Sequence, residues 1–287
     1  MPKHFTITDF MARFPNDDAC LDHLMKVRYG KTQDCPKCGK HGRFARIAKI
    51  PAYSCPWCGH HIHPMKGTPF EKSRTPLQKW FYVMFLFTTT RNGVSAKEIQ
   101  RQIGVTYKTA WRIGHEIRKY MGFVDGDGQL GGGHTIVEAD KAFIGGRDEM
   151  GKDDKSVVLG MVERGGEVIM RHIPTRRFVD ILPHVAGHIR PNSRIATDSA
   201  SPFKDLAREG YKHATVNHRA GEYVRGPVHT NTIEAFWAWL KRGINGTHVW
   251  VSPKHLPKYL AEFEFRFNLR KRPEVMFDLL LLGFPRP

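Results

Sequence analysis

The stretch HTIVEADKAFIGG (134–146) decides the fold, because the hydrophobic period changes there. Upstream, apolar residues recur at helical three- and four-residue steps. From TIVEA onward they alternate, as on a half-buried strand. Two more strands follow, SVVLGMVERGG (156–166) and EVIMRHIPT (167–175), joined at Gly165 and Gly166 by a turn that suits a hairpin. FVDILPHVAGHI (178–189) reads as a helix, with Pro183 near its start or at a kink, and SRIATDSASPF (193–203) as a fourth strand ending in polar residues. PFKDLAREGY gives a short helix, HATVNH a fifth strand, and HTNTIEAFWAWLKRG (229–243) a closing helix. That order predicts an α/β layer sandwich built on a mixed sheet.

Before the first strand, FVDGDGQLGGGH (123–134) carries five glycines in twelve residues and reads as a linker. Gly126, Gly128 and Gly131 formally match G-x-G-x-x-G, but a helix precedes them and more glycine follows, the wrong setting for a dinucleotide. PLQKWFYVMFLFTTT (76–90) predicts a buried helix opening at Pro76. SAKE (95–98) is a capping box that starts a helix through Ile99 and Ile103, and Gly104 stops it. Thr106 caps the next helix, where Ala110, Ile113 and Ile117 point inward and Lys108, Arg112 and Arg118 point outward. Two short helices around a tight turn, the second basic, make a helix-turn-helix with those three cations as candidate DNA contacts. A helical hairpin without a DNA role is the alternative.

Further upstream stand CPKCG (35–39) and CPWCG (55–59), with sixteen residues between Cys38 and Cys55. Cys35, Cys38, Cys55 and Cys58 have the spacing of a four-thiolate zinc ribbon, and each pair is followed by a glycine that suits a tight turn. Between them, Phe44, Ile47, Ile50 and Tyr53 alternate with basic residues, as in a small antiparallel ribbon. DFMARFPNDDACLDHLMKVRY (9–29) is a helical lead-in whose Cys20 reads as a small core residue.

The chain has 287 residues, enough for two domains or one with an appended module. Lys and Arg number 45 against 28 Asp and Glu, a formal charge of +17. Such an excess favours a polyanion, because neutralising phosphates releases condensed counterions. No signal peptide is visible, and the most apolar run, WFYVMFLF (80–87), falls far short of the about 20 residues that span a bilayer. The expectation is a cytoplasmic, nucleoid-associated protein with no membrane partner and reduced cysteines. No phosphate-binding loop of the GxxxxGK[ST] type occurs, which argues against nucleotide-triphosphate hydrolysis.

Asp140 lies in the first strand of the sheet and Asp198 ends the fourth. If those strands are neighbours, the two carboxylates come side by side. On HTNTIEAFWAWLKRG and the residue that follows it, Ile233, Phe236, Trp237, Leu240 and Ile244 form the apolar face, while Asn231, Glu234 and Lys241 run beside it. That helix can lay Glu234 over the same sheet end. Three converging carboxylates repel one another unless cations sit between them, and a pair of Mg²⁺ (or Mn²⁺) ions would suit phosphoryl transfer. Glu138, Glu163 and Glu262 are read as structural acids.

These residues resemble the DDE-type transposases of bacterial insertion sequences, in the group with an N-terminal zinc ribbon and a ribonuclease-H-like catalytic domain. The resemblance runs through RFPNDDACLDHL, both cysteine pairs, GTPFEKSRTPLQKWF, SAKEIQRQIGVTYKTAWRIGHEIR, VEADKAFIGG, TDSASPF, HTNTIEAFWAWLKRGINGTHVWVSPKHLPKYL and EFEFRFNLR. Thirty-five residues separate Asp198 from Glu234, a spacing typical of that class. The resemblance implies a metal-binding triad of Asp140, Asp198 and Glu234, with Lys241 contacting DNA beside it and Asn231 as rival third ligand or helper. It also implies three segments: lead-in and zinc ribbon (1–70), helix-turn-helix (71–125) and ribonuclease-H-like catalytic domain (126–287). The implied activity is 3′-end cleavage and strand transfer on double-stranded DNA, at terminal inverted repeats and target, by a homo-oligomer. Many relatives carry an acid directly after the first aspartate, where this chain has Lys141. On a strand, adjacent side chains point to opposite faces, so Lys141 need not enter the metal site. A transposase-derived DNA-binding regulator without catalysis is the alternative function.

Overall fold

The computed structural model describes residues 5–126, 128–145, 155–198 and 201–284; Gly146 of the opening stretch and Ser199 and Ala200 of TDSASPF lie outside them. The chain divides into two compact units. One comprises Met1–Thr90, Ala96–Tyr120 and Arg272–Pro287, the other Arg91–Ser95 and Met121–Lys271.

The first unit opens with α1 (Ile7–Arg13), started by a capping box in which Thr6 and Asp9 satisfy each other's backbone N–H. In α2 (Asp17–Tyr29), Asn16 caps the start, and Cys20, Leu21, Leu24 and Met25 are buried. Burial and the charge of Asp17 push the Cys20 thiol up to about 12, as befits an inert core residue. The ribbon has two small sheets. In one, β1 (Gln33–Asp34) pairs with β2 (His41–Gly42); in the other, β3 (Ala45–Ile47), β4 (Ala52–Ser54) and β5 (His61–Ile62) run antiparallel. Phe44 and Tyr53 face inward, whereas Ile50 sits in the turn and is exposed. α3 (Leu77–Thr89) is buried on most sides, and Pro76 stands at its cap, one residue before the helix. α4 (Ala96–Ile103) leads into α5 (Tyr107–Asp125), where the Thr106 hydroxyl accepts from the Thr109 N–H at 3.3 Å. α9 (Met276–Gly283) packs beside α3.

The second unit is built on a five-stranded mixed sheet: β6 (Ile136–Ile144), β7 (Ser156–Glu163), β8 (Val168–Ile173), β9 (Arg194–Asp198) and β10 (Lys212–Val216). Its spatial order is β10-β9-β6-β7-β8. The first three strands form an antiparallel meander, β9 lies parallel to β6, and β10 lies parallel to β9. One face, with Ala142, Ile144, Val158 and Val162, is covered by α7 (Asn231–Gly243) and α8 (Leu256–Asn268). The other, with Val137, Ala139, Leu159 and Met161, is covered by α6 (Phe178–His188) and a 3₁₀ helix at Ser201–Ala207. Pro183 falls inside α6. The edge strand β8 does not present bare amides: Glu264 and Asn268 of α8 accept from the Met170 and Val168 N–H groups at 2.9 and 2.7 Å.

The glycine-rich stretch before β6 is not a loose linker. Leu130 is buried and bridges to Ile189, and the Gly131 N–H donates to Glu163 at 2.7 Å. Gly131 has φ +80°, and a Cβ there would lie 2.4 Å from the Ser193 hydroxyl. The glycine therefore serves a close approach. No described helix is long and apolar enough to cross a membrane.

Candidate functional site

Register brings the two aspartates together. β6 and β9 pair in parallel through Ala139 and Thr197, so Asp140 and Asp198 stand one step further on neighbouring strands. Strand alternation puts Asp140 on the face covered by α7, where the Trp237 indole N–H donates to its Oδ2 at 3.1 Å. Lys141 goes to the opposite face, with its ammonium 4.6 Å from the centre of the Phe203 ring. Burial pushes the Asp140 carboxyl above its ordinary range; the Lys141 backbone N–H opposes this, and the nearby Asp198 charge adds to it.

Glu234 follows on α7, three residues before Trp237, so both lie along one side of the helix. Its carboxylate accepts from the Thr230 hydroxyl at 2.6 Å and lies 3.7 Å from the His218 ring. Side-chain exposure of 46% leaves it open to solvent. Asn231, in the first turn of α7, and Lys241, two turns beyond Glu234, are exposed. The three carboxylates do not form a closed coordination cluster. Among the described residues, the cysteines alone bring three or more ligand atoms within 4.8 Å of one another.

The placement of α7 has an unexpected origin. Its cap residue, Thr230, makes no side-chain cap hydrogen bond. The amides of Thr232 and Ile233 donate instead to Oε2 of Glu138 on β6, at 2.8 and 3.0 Å. Oε1 accepts from the Thr232 hydroxyl at 3.0 Å and from Arg164 Nε at 2.6 Å, and the His229 ring lies 3.2 Å from it. Arg164 also donates to the carbonyls of Pro227 and His229. It thereby orders the hairpin of β11 (Val224–Arg225) and β12 (Val228–His229) that feeds α7. Gly160 pairs directly with Asp140, and a Cβ there would lie 2.5 Å from the Trp237 ring. Sequence reading gave Glu138 a merely structural role and Trp237 a purely apolar one; neither has a local signal for its partner.

In the ribbon, Cys35 and Cys58 sulfurs are 3.5 Å apart and Cys38 and Cys55 sulfurs 3.8 Å. A tetrahedral ion with sulfur ligands at about 2.3 Å requires edges of about 3.8 Å, so the four cysteines fit a structural zinc. Of the candidate DNA contacts on α5, Lys108 and Arg112 are exposed. Arg118 is a correction: it is 2% exposed, its guanidinium lying 5.1 Å from the Phe87 ring centre, so it belongs to the core of its unit. Helical spacing put it on the outer face, but its long stem and the flat cation suit an aromatic wall.

Residues 120–268 match the profile of the ISXO2-like transposase domain, and residues 15–61 that of a transposase zinc-ribbon domain. A protein described as an uncharacterized protein in transposable element ISH50, from Halobacterium salinarum, is 26% identical over 283 residues, 91% of this chain and 94% of that one. An uncharacterized transposase-like protein of Haemophilus influenzae is 27% identical over 99 residues, 33% of this chain and 76% of that protein.

Proposed function

Because the chain belongs to the ISXO2-like transposase domain family, whose activity is DNA transposition, we propose that it cleaves the 3′ ends of its element and joins them to target DNA. The observation that carries this reading is the Asp140–Asp198 pair, at adjacent positions on parallel strands with α7 laid over them. The mixed sheet with helices on both faces supports the ribonuclease-H-like architecture that the sequence resemblance implies.

Asp140, Asp198 and Glu234 would hold divalent magnesium or manganese. The raised Asp140 carboxyl supports the fit, since the charge that burial and Asp198 disfavour is the charge a hard cation offsets. Bound there, the ions would supply an activated oxygen nucleophile and stabilise the leaving oxygen. The chain's own residues do the rest. Trp237 fixes Oδ2 of Asp140 and presents the other oxygen. Lys241, down the helix from Glu234, binds the DNA backbone, and Asn231 contacts the metal site or the scissile phosphate. The ribbon, with its zinc, and α4–α5 as a helix-turn-helix bind the terminal repeats through Lys108 and Arg112. Two ends must be joined, so the working form is a homo-oligomer on DNA.

The test is a Mg²⁺-dependent nicking and joining assay on a duplex carrying the element end. Wild type should nick and join, and Asp140→Asn or Asp198→Asn should lose at least about a thousandfold in cleavage, the scale of losing an essential charge-stabilising group. Tight end binding with no cutting by the wild type would replace this reading with that of a regulator.

A further inference from the structure

Glu138 is the most deeply set acid of the second unit's sheet, with no exposure to solvent, and it sits two residues from Asp140 on the same face of β6. Its two oxygens receive the second and third N–H groups of α7, the Thr232 hydroxyl and the Arg164 guanidinium. A second tie lies four residues further along α7, where Trp237 reaches Asp140. Two attachments from one helix to one strand, 138 to the first turn and 140 to the second, oppose both sliding and rolling of α7 over β6. Glu234 lies between them.

We propose that Glu138 is a positioning residue that acts through α7: it holds Glu234 at a fixed separation from the Asp140–Asp198 pair, and so sets the affinity of the site for divalent metal. This rests on the metal-binding reading above. The physical reason is specific to a carboxylate. It accepts on both oxygens, and its charge complements the positive end of the helix and the guanidinium together. A glutamine at 138 would have nearly the same volume but must aim its NH₂ at one of those donors, which loosens one attachment without opening a cavity.

The experiment compares Glu138→Gln, Glu234→Gln and the double variant in the full-length protein. Manganese binding is followed by the electron paramagnetic resonance of free Mn²⁺, and amide hydrogen exchange is read at Thr232 and Ile233. Glu138→Gln should speed exchange at those two amides, leave that of Val137 unchanged, and weaken Mn²⁺ binding by about 10- to 100-fold, the usual effect of a residue that orients a metal ligand. In the Glu234→Gln background the same change should have little further effect on Mn²⁺, because the ligand it positions is gone. Thr232→Pro is the second variant. Proline is tolerated in the first helical turn, yet it deletes two of the donors to Glu138. It should weaken Mn²⁺ binding in the same direction.

Faster exchange with unchanged Mn²⁺ affinity, or a full loss repeated in the Glu234→Gln background, would make Glu138 a structural acid and overturn the proposal. Failure of the premise looks different: Mn²⁺ binding and cleavage would then survive Asp140→Asn and Asp198→Asn.

Discussion

Asp140 bears a cost that follows from where the fold places it, buried beneath α7 and beside Asp198. Its folded-state carboxyl is raised by burial and by Asp198, so the protonated form is the one the fold prefers. The stability this gives is fully present below the unfolded value near 4 and is lost as pH rises through the raised folded value. In metal-free buffer at neutral pH, Asp140→Asn should therefore melt higher than wild type, because the amide carries no charge for burial and Asp198 to disfavour. The gap should shrink at about pH 4, and added Mg²⁺ should raise the wild type alone. A wild type that melts above the variant in metal-free buffer at pH 7 would contradict this account. Gly160 is the other decisive residue, because its missing side chain admits the indole that grips Asp140. Gly160→Ala should lower unfolding stability by about 1–3 kcal/mol, as overpacking does, with cleavage lost alongside. Denaturant titration and the nicking assay measure the two effects. Asp140 was legible as a strand carboxylate; the need for glycine opposite it was not, since pairing partners lie twenty residues apart in the chain.

At the scale of elements, α7 was readable from its period, and its apolar face packs where the spacing put it. Its start was read two residues early, at His229, but its cap was not legible, because the cap is supplied by Glu138, more than ninety residues earlier. Local rules look for a side chain within the helix's own first turn. Arg164→Ala would leave Glu138 with its charge uncompensated on that side and unfasten the hairpin before α7. A loss of about 3–5 kcal/mol, the usual consequence of breaking a buried pair, is expected in denaturant titration. The zinc ribbon is the opposite case. Both cysteine pairs are local turns, so spacing alone predicted the cluster that forms. Cys55→Ser should abolish stoichiometric zinc binding and collapse the β3–β5 sheet, read by metal analysis and by loss of amide dispersion in that segment.

For the whole molecule, net charge pointed to a polyanion, but it could not say which cations face it. Lys108 and Arg112 are exposed, while Arg118, two turns along the same helix, is enclosed against Phe87. The variants should separate cleanly. Lys108→Ala with Arg112→Ala should weaken binding to end DNA and flatten the slope of log K against log salt by about 2, for two phosphates released, with little change in melting temperature. Arg118→Ala should lower the melting temperature first. Binding isotherms at several salt concentrations, beside thermal melts, decide between them. Unchanged salt dependence in the double variant would remove α5 from the DNA interface.

Neighbouring residues alone were enough to read the five strands of the sheet, the helix from 229 to 243, the four-cysteine cluster and the aspartates on the first and fourth strands, whereas the short β11–β12 hairpin, α8 and α9 were not read. Tertiary structure alone decided that Glu138 caps a helix, that Trp237 grips Asp140, that Gly160 must be bare and that Arg118 is buried. Those facts depend on which distant surfaces meet, and hydrogen-bond partners brought together by sheet register and helix packing leave no local trace in the chain.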